Sequence, residues 1–288
     1  MIWNLGSINI DNFYEVPHLP AAGETLAATS FGFGLGGKGA NMSVAAARAA
    51  ARVSHIGAVG VDGRWTRERL MEYGVDTPHI AEIDVPTGHA NIVVDRDGEN
   101  SIVLFQGANA HLTEAVIGAA LTEASPKDFL LIQNETNGQE YAAATAQALG
   151  LRVVYAAAPF DAAAIERLIG RIDLLVLNEV EAAQLESAKG KEICALGISD
   201  VIVTLGEKGC KWVSNAGEKR FDAYPADAVD TTGAGDTFTG YLVAGLDRGM
   251  PMEAAIDLAL KAGSLMVMRR GTADAIPDLK EIQDQFGL

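Results

Sequence analysis

The sequence predicts an α/β fold, a doubly wound and mostly parallel sheet sandwiched by helices, with a small β-sheet attached. Near-continuous apolar runs recur at residues 129–133, 152–156, 173–177 and 201–205, the pattern of strands buried on both faces of a parallel sheet. Alanine-rich helical stretches at 139–149 and 179–189 separate them, and strand–helix alternation is how a layered α/β sandwich reads along a chain. With 288 residues, 49% of them hydrophobic, the chain can bury a substantial core.

Taken in order, residues 2–10 form an opening strand-like run. Residues 12–34 are rich in Pro, Gly, Thr and Phe and lack helical periodicity, while 86–106 hold two β-like runs around Asp97-Gly98. That dipeptide favours a tight hairpin turn because Gly accepts positive φ. These segments predict a small sheet apart from the main sandwich, either a lid or an ordinary surface hairpin. A helix is expected from Ala40 to about Ala51, and another from the Gly233-Ala234-Gly235 turn to about Asp247, with Phe238, Leu242 and Leu246 at helical spacing. With no internal repeat and no low-complexity linker, a single domain over residues 1–288 is expected.

The net charge of −16 argues against a nucleic-acid partner, which needs a basic face. It leaves ATP open, since a few backbone N–H groups and one magnesium ion can hold phosphates locally. Cys194 and Cys210 are too few for a disulfide framework and are expected as buried thiols in a reducing cytosol. The N-terminal residues carry no basic leader, and no apolar run is long enough to cross a bilayer. A soluble, cytoplasmic protein with no membrane partner is expected.

The most informative segment runs from Val229 to Phe238, VDTTGAGDTF. Its Gly-Ala-Gly turn bares successive backbone N–H groups at a helix start, where the helix dipole adds positive potential. Charge developing on a transferring phosphoryl group needs such a preorganised cradle. Asp236 stands beside it and can take a proton from an attacking alcohol, although Asp is also a common helix cap. Asn178 and Glu181, three apart at the end of the 173–177 strand, offer oxygen atoms near Mg²⁺ or its waters. A capping box explains the same spacing. Residues Thr204 to Gly209 run from a strand end into a glycine turn, either a backbone cradle for the nucleotide or a plain hairpin.

Gly32, Gly34 and Gly37 spell G-x-G-x-x-G, but they follow an irregular segment rather than the first strand of a βαβ unit. Residues 32–39 nearly spell a phosphate-binding loop, yet Gly39 replaces the hydroxyl residue that would ligand Mg²⁺. What remains is a glycine-lined hollow with Lys38 and Asn41 at a helix start, and with Asn9, Asp11 and Glu135 near other strand ends. Amides and carboxylates suit a polyol, whose hydroxyls both donate and accept.

Together these segments resemble the ribokinase-like (PfkB) family of sugar kinases, in order and over essentially the whole chain. Residues 36–41 (GGKGAN) match its first signature, Asp230 to Phe238 its second, and Asn178 with Glu181 its N-x-x-E motif. Gly6-Ser7-Ile8-Asn9 with Asp11, Thr87-Gly88 and Gly107-Ala108-Asn109 match further pieces. The resemblance implies phosphoryl transfer from MgATP to a primary hydroxyl of a pentose, foremost D-ribose; another sugar, a nucleoside, or a non-catalytic sensor are the alternatives. It implies that Asn9, Asp11, Gly37, Lys38, Asn41 and Glu135 hold the sugar, that Asp236 is the base, and that Gly233, Ala234 and Gly235 form the anion hole. Asn178, Thr204, Gly206 and Gly209 would serve the nucleotide, with Glu181 near Mg²⁺. Asp230 and Thr232 match part of a monovalent-cation (K⁺) site, whose serine position is Ala275 here. Residues 12–34 and 86–106 would form a lid through which two subunits pair as a homodimer. Two further departures are Ala156-Ala157-Ala158-Pro159 in place of the family's Asn-Pro-Ala-Pro, and a shortened stretch over 182–200.

Overall fold

The structure is a computed structural model and describes residues 1–287. Its strands are β1 (Ile2–Leu5), β2 (Asn9–Glu15), β3 (Ser30–Gly36), β4 (Val53–Val59), β5 (Ile80–Glu82), β6 (Gly88–Val94), β7 (Asn100–Phe105), β8 (Phe129–Ile132), β9 (Arg152–Ala156), β10 (Leu174–Asn178), β11 (Asp200–Thr204), β12 (Cys210–Ser214) and β13 (Gly217–Phe221). The helices are α1 (Lys38–Arg48), α2 (Arg64–Glu72), α3 (Glu114–Leu121), α4 (Gln139–Leu149), α5 (Ala162–Leu168), α6 (Glu179–Lys189), α7 (Ala234–Asp247), α8 (Met252–Met266) and α9 (Leu279–Phe286).

The large sheet runs β13-β12-β11-β10-β9-β8-β1-β4-β5. From β11 to β5 every pairing is parallel, and β12 and β13 join antiparallel at one edge. Its inner strands are apolar on both faces because both faces are covered. One face packs Ile2, Leu131 and Ile202 under α1, α2, α7, α8 and α9; the other packs Trp3, Leu130 and Tyr155 under α3, α4, α5 and α6. Each such buried side chain contributes roughly 1.5–3 kcal/mol. Strand order reverses beside β1, which has β4 on one side and β8 on the other. In open α/β sheets, ligands bind outside the carboxyl ends of the strands at such a reversal.

The opening run is two strands rather than one. Gly6-Ser7-Ile8 breaks it, because the backbone there is engaged elsewhere: Ser7 O accepts from Ala40 N, and the Asn109 side chain bonds both Ile8 N and Ile8 O. β1 therefore stays in the large sheet, and β2 crosses into a second one, ordered β3-β2-β6-β7. That sheet is mixed, with β2 and β6 parallel and the outer pairs antiparallel. Gly98, at φ 84°, closes the β6–β7 turn. Cys194 departs from expectation: it is exposed, because Ile193 takes the buried position in that turn, whereas Cys210 is buried. Among the described residues, no helix is long and apolar enough to cross a membrane.

Candidate active site

Helix α7 lies close against α1 because residue 240 is glycine. A Cβ there would stand 2.5 Å from the Ala45 Cβ and 2.6 Å from Met42 O. One turn earlier on the same face, Asp236 meets Asn41, whose Nδ2 donates to Asp236 Oδ2 at 2.9 Å; both residues are buried. Among the described residues no side chain caps α7, and Gly233 at φ 72° precedes it. Asp236 is thus not the helix cap, since its hydrogen bond runs sideways to α1. Among the described residues, the N–H groups of Gly233, Gly235 and Asp236 make no hydrogen bond, while that of Ala234 donates to Thr231 O at 3.2 Å. Free N–H groups at a helix start are an anion site.

Across from α7, residues from four segments meet at the strand-order reversal. Ser7, after β1, donates its hydroxyl to Glu135 Oε2, after β8, and Lys38 N donates to the same oxygen at 3.0 Å. Asn9 Oδ1 accepts from Asn109 Nδ2 at 2.8 Å. Asp11, on β2, lies over Gly36, where a Cβ would stand 1.9 Å from its Oδ2. Gly37, at φ 92°, turns the chain into α1 with a conformation that L side chains rarely adopt.

Charges couple these groups to Asp236. The Asp236 carboxylate holds the Lys38 ammonium above its ordinary range against the opposing effect of burial, with Glu135 and Glu181 adding to it. Burial also raises the Glu135 carboxyl, despite its hydrogen bonds from Ser7 and Lys38. Asp11 is pushed up to about 7 by burial, then by Glu135 and Asp236. Below that pH it is largely protonated, and an ionised carboxylate is the stronger acceptor for a hydroxyl donor. Accordingly, for a substrate whose hydroxyl meets Asp11, kcat/KM is expected to rise with pH through about 7 and then level. Asp11→Asn should flatten that limb in a pH–rate profile; an unchanged limb in the variant would exclude Asp11. Folding responds oppositely: the contribution of a carboxyl raised from 3.8 is full at low pH and disappears as pH climbs through about 7.

On the other flank, Asn178 ends β10 beside its register partner Thr204 on β11. Asn178 and Glu181 form a capping box, with Glu181 N donating to Asn178 Oδ1 and Asn178 N to Glu181 Oε2, each at 2.8 Å. Glu181 Oε1 remains outside that box. The turn after β11 is a hairpin into β12. Gly206 is exposed at its tip, but Gly209 is buried, and a Cβ there would stand 2.0 Å from Phe221 O. Gly209 therefore shapes the turn. Asp230 Oδ1 accepts from Thr232 N at 2.9 Å, and Val229 N and Asp230 N both donate to Val267 O, joining the 229–232 and 266–271 loops.

Ser7, Gly36 and Asn109 are site residues that sequence reasoning did not single out. Each acts on a residue that it did: Ser7 orients Glu135, Gly36 makes room for Asp11, and Asn109 holds Asn9. All three lie inside the matched pieces, where nothing local assigns them a partner; two of the pairings span 128 and 100 residues, and none of the three is visible in one chain.

An uncapped helix start, a carboxylate beside it and an amide-and-carboxylate hollow opposite suit phosphoryl transfer to an alcohol, and the family match makes this a phosphotransferase with an alcohol group as acceptor. The chain belongs to the pfkB family of carbohydrate kinases, whose family model matches residues 1–279. It is 38% identical over 293 residues to the ribokinase of Haemophilus influenzae, covering 96% of this chain and 95% of that protein. The structure of a ribokinase from Thermotoga maritima superposes with a TM-score of 0.89 at 30% identity, covering 100% of this chain and 99% of that one. An Arabidopsis thaliana ribokinase complexed with ribose and ATP superposes with a TM-score of 0.87 at 28% identity, covering 100% and 98%.

Proposed function

We propose that this chain transfers the γ-phosphoryl group of ATP to the 5-hydroxyl of D-ribose, giving ribose 5-phosphate and ADP. The observation that carries the proposal is Asp236, held by Asn41 at the uncapped start of α7 and charge-coupled to Lys38, Glu135 and Asp11 in the facing hollow. Asp236 takes the hydroxyl proton as the oxygen attacks phosphorus. The N–H groups of Gly233, Gly235 and Asp236 bind the charge that builds on the phosphoryl oxygens. Ala234 N–H first has to leave Thr231 O to join them. Asn9, Asp11, Gly37, Lys38, Asn41 and Glu135 fix the sugar so that one primary hydroxyl faces Asp236.

Asn178, Thr204 and Gly206 line the nucleotide side. Mg²⁺ would neutralise phosphate charge there, and the Glu181 oxygen outside the capping box fits a water-mediated contact to it. The joined 229–232 and 266–271 loops offer backbone carbonyls and the Asp230 carboxylate, oxygen ligands suited to K⁺; Ala275 contributes no side-chain oxygen to that site. The small sheet serves as a lid, because Asp11 stands on it and closing it excludes water from the transfer. Its draw on ATP suits a cytoplasmic location.

The lid also pairs two subunits. Phe31, Phe33 and Val103, 58–65% exposed, share one face of it, an apolar surface that a second copy would cover. Light scattering should report a dimer for the wild type and a monomer for Ile102→Asp/Val103→Asp, whose changes lie on both faces of β7; a variant that stays dimeric would contradict pairing through the lid.

A coupled ADP-release assay over D-ribose, 2-deoxyribose, other pentoses, hexoses and nucleosides tests the substrate. The highest kcat/KM is expected for D-ribose. A preferred nucleoside would move the protein within its family, and no phosphorylated acceptor at all would overturn the reading.

A further inference from the structure

Beneath the sugar hollow, inside an otherwise apolar layer, lies a chain of buried polar side chains that the phosphoryl-transfer scheme does not use. Asn4 on β1 and His55 on β4 are register partners in the sheet, and Ser43 reaches down to them from α1. All three are buried, as is Gln133 just beyond β8. Asn4 Nδ2 donates to Gly39 O at 2.7 Å and to Ser43 Oγ at 2.8 Å. Ser43 Oγ lies 2.8 Å from His55 Nδ1, and His55 Nε2 lies 3.0 Å from Gly6 O. Gln133 Nε2 donates to Asn4 Oδ1 at 2.9 Å.

Only one proton arrangement satisfies this chain. The Gly6 carbonyl can only accept, so His55 Nε2 carries the hydrogen and Nδ1 is the acceptor. The Ser43 hydroxyl then donates to Nδ1, and its lone pair receives the Asn4 amide. With each member's direction set by the next, the network has no freedom to rearrange without leaving a buried group unpaired.

Its endpoints are backbone carbonyls in the two segments that carry the sugar-site residues. Gly6 precedes Ser7 and Asn9; Gly39 follows Gly37 and Lys38. These two glycines touch, since a Cβ on Gly39 would stand 2.4 Å from the Gly6 Cα. Gln133 adds the third segment, two residues before Glu135, and its unpartnered Oε1 lies 2.7 Å from where a Gly6 Cβ would be. A purely stabilising role would be served as well by apolar side chains, which carry no penalty for burial. We propose that Asn4, Ser43, His55 and Gln133 are positioning residues: they lock the 6–9, 37–41 and 133–135 segments in mutual register and so set the affinity for the sugar. This rests on the sugar-kinase reading of the site above.

The test is a split between sugar and nucleotide kinetics. Ser43→Ala removes the central hydroxyl at nearly constant volume, and Asn4→Asp replaces the two donated hydrogens by a lone-pair oxygen. Both should raise the D-ribose KM by about tenfold or more, as sub-ångström misplacement of binding groups does, while the ATP KM stays within about twofold. His55→Gln keeps a donor for Gly6 O and should hold the D-ribose KM within about threefold of wild type, whereas His55→Leu should not. Calorimetric titration with D-ribose alone should show the same order. Should Asn4→Asp not fold, Ser43→Ala and the His55 pair decide. A lower melting temperature with both KM values unchanged, or equal rises in the two, would overturn the inference. A wild type that phosphorylates no sugar would instead overturn the functional reading.

Discussion

Asp236→Asn is expected to lower turnover by about 100-fold to 10,000-fold, the range that a positioned general base supplies. The substitution is nearly isosteric, and its amide oxygen can still accept from Asn41 Nδ2 at the present 2.9 Å. The helix packing at Gly240 is untouched, so the free N–H groups at the start of α7 stay in place. What disappears is the negative charge that takes the hydroxyl proton. Lys38 loses its main electrostatic partner, but Glu135 and Glu181 still act on it. D-ribose binding, measured by titration, should therefore stay within about threefold, the pattern of an interaction made in the transition state. Near-normal turnover in this variant would remove Asp236 from the chemistry.

The second large effect is expected in the glycine run 32–39, and it is selective. Gly39→Ala would set a Cβ 2.4 Å from Gly6 Cα and Ser7 N, backbone on backbone. Ordinary contacts begin near 3.4 Å, so α1 and the loop after β1 must separate by about an ångström. Overpacking of that kind costs about 1–3 kcal/mol, sometimes more, which thermal melting should record as a loss of several degrees. The same shift pulls Lys38 N from Glu135 and Ala40 N from Ser7 O, so the sugar KM should rise by about 100-fold. Gly32→Ala and Gly34→Ala are the controls. Among the described residues nothing lies within 4 Å of a Cβ at either position, and both variants should keep wild-type kinetics. If Gly34→Ala matched Gly39→Ala, the run would be acting as a phosphate-binding turn after all.

That contrast shows what one sequence could and could not disclose. The G-x-G-x-x-G spelling made Gly32, Gly34 and Gly37 look equivalent, yet Gly32 and Gly34 are strand positions, the first exposed and the second half-buried, and only Gly37 sits at a required turn. Strands such as Arg152–Ala156 and the span of α7 to Asp247 were legible, because continuous apolar runs and helical spacing are local signals. The double life of residues 2–10 was not. Whether Gly6 ends β1 depends on Gly39 and Asn109, which lie far along the chain. Likewise Asn178 and Glu181 read locally as a cap first and as metal neighbours second. The structure forms the capping box and leaves one Glu181 oxygen outside it, so the cap reading holds and the metal role remains part of the proposal. The parallel pairing of β2 with β6 was also hidden, since alternation marks a strand without naming its partner.

The most direct measurement is a crystal structure of the protein with D-ribose and a non-hydrolysable ATP analogue. The expected result places the sugar 5-hydroxyl within about 2.6–3.2 Å of an Asp236 carboxylate oxygen, with the terminal phosphate at the N–H groups of Gly233 and Gly235. A sugar bound with that hydroxyl turned away, or a phosphate seated in the 32–39 run instead, would contradict it.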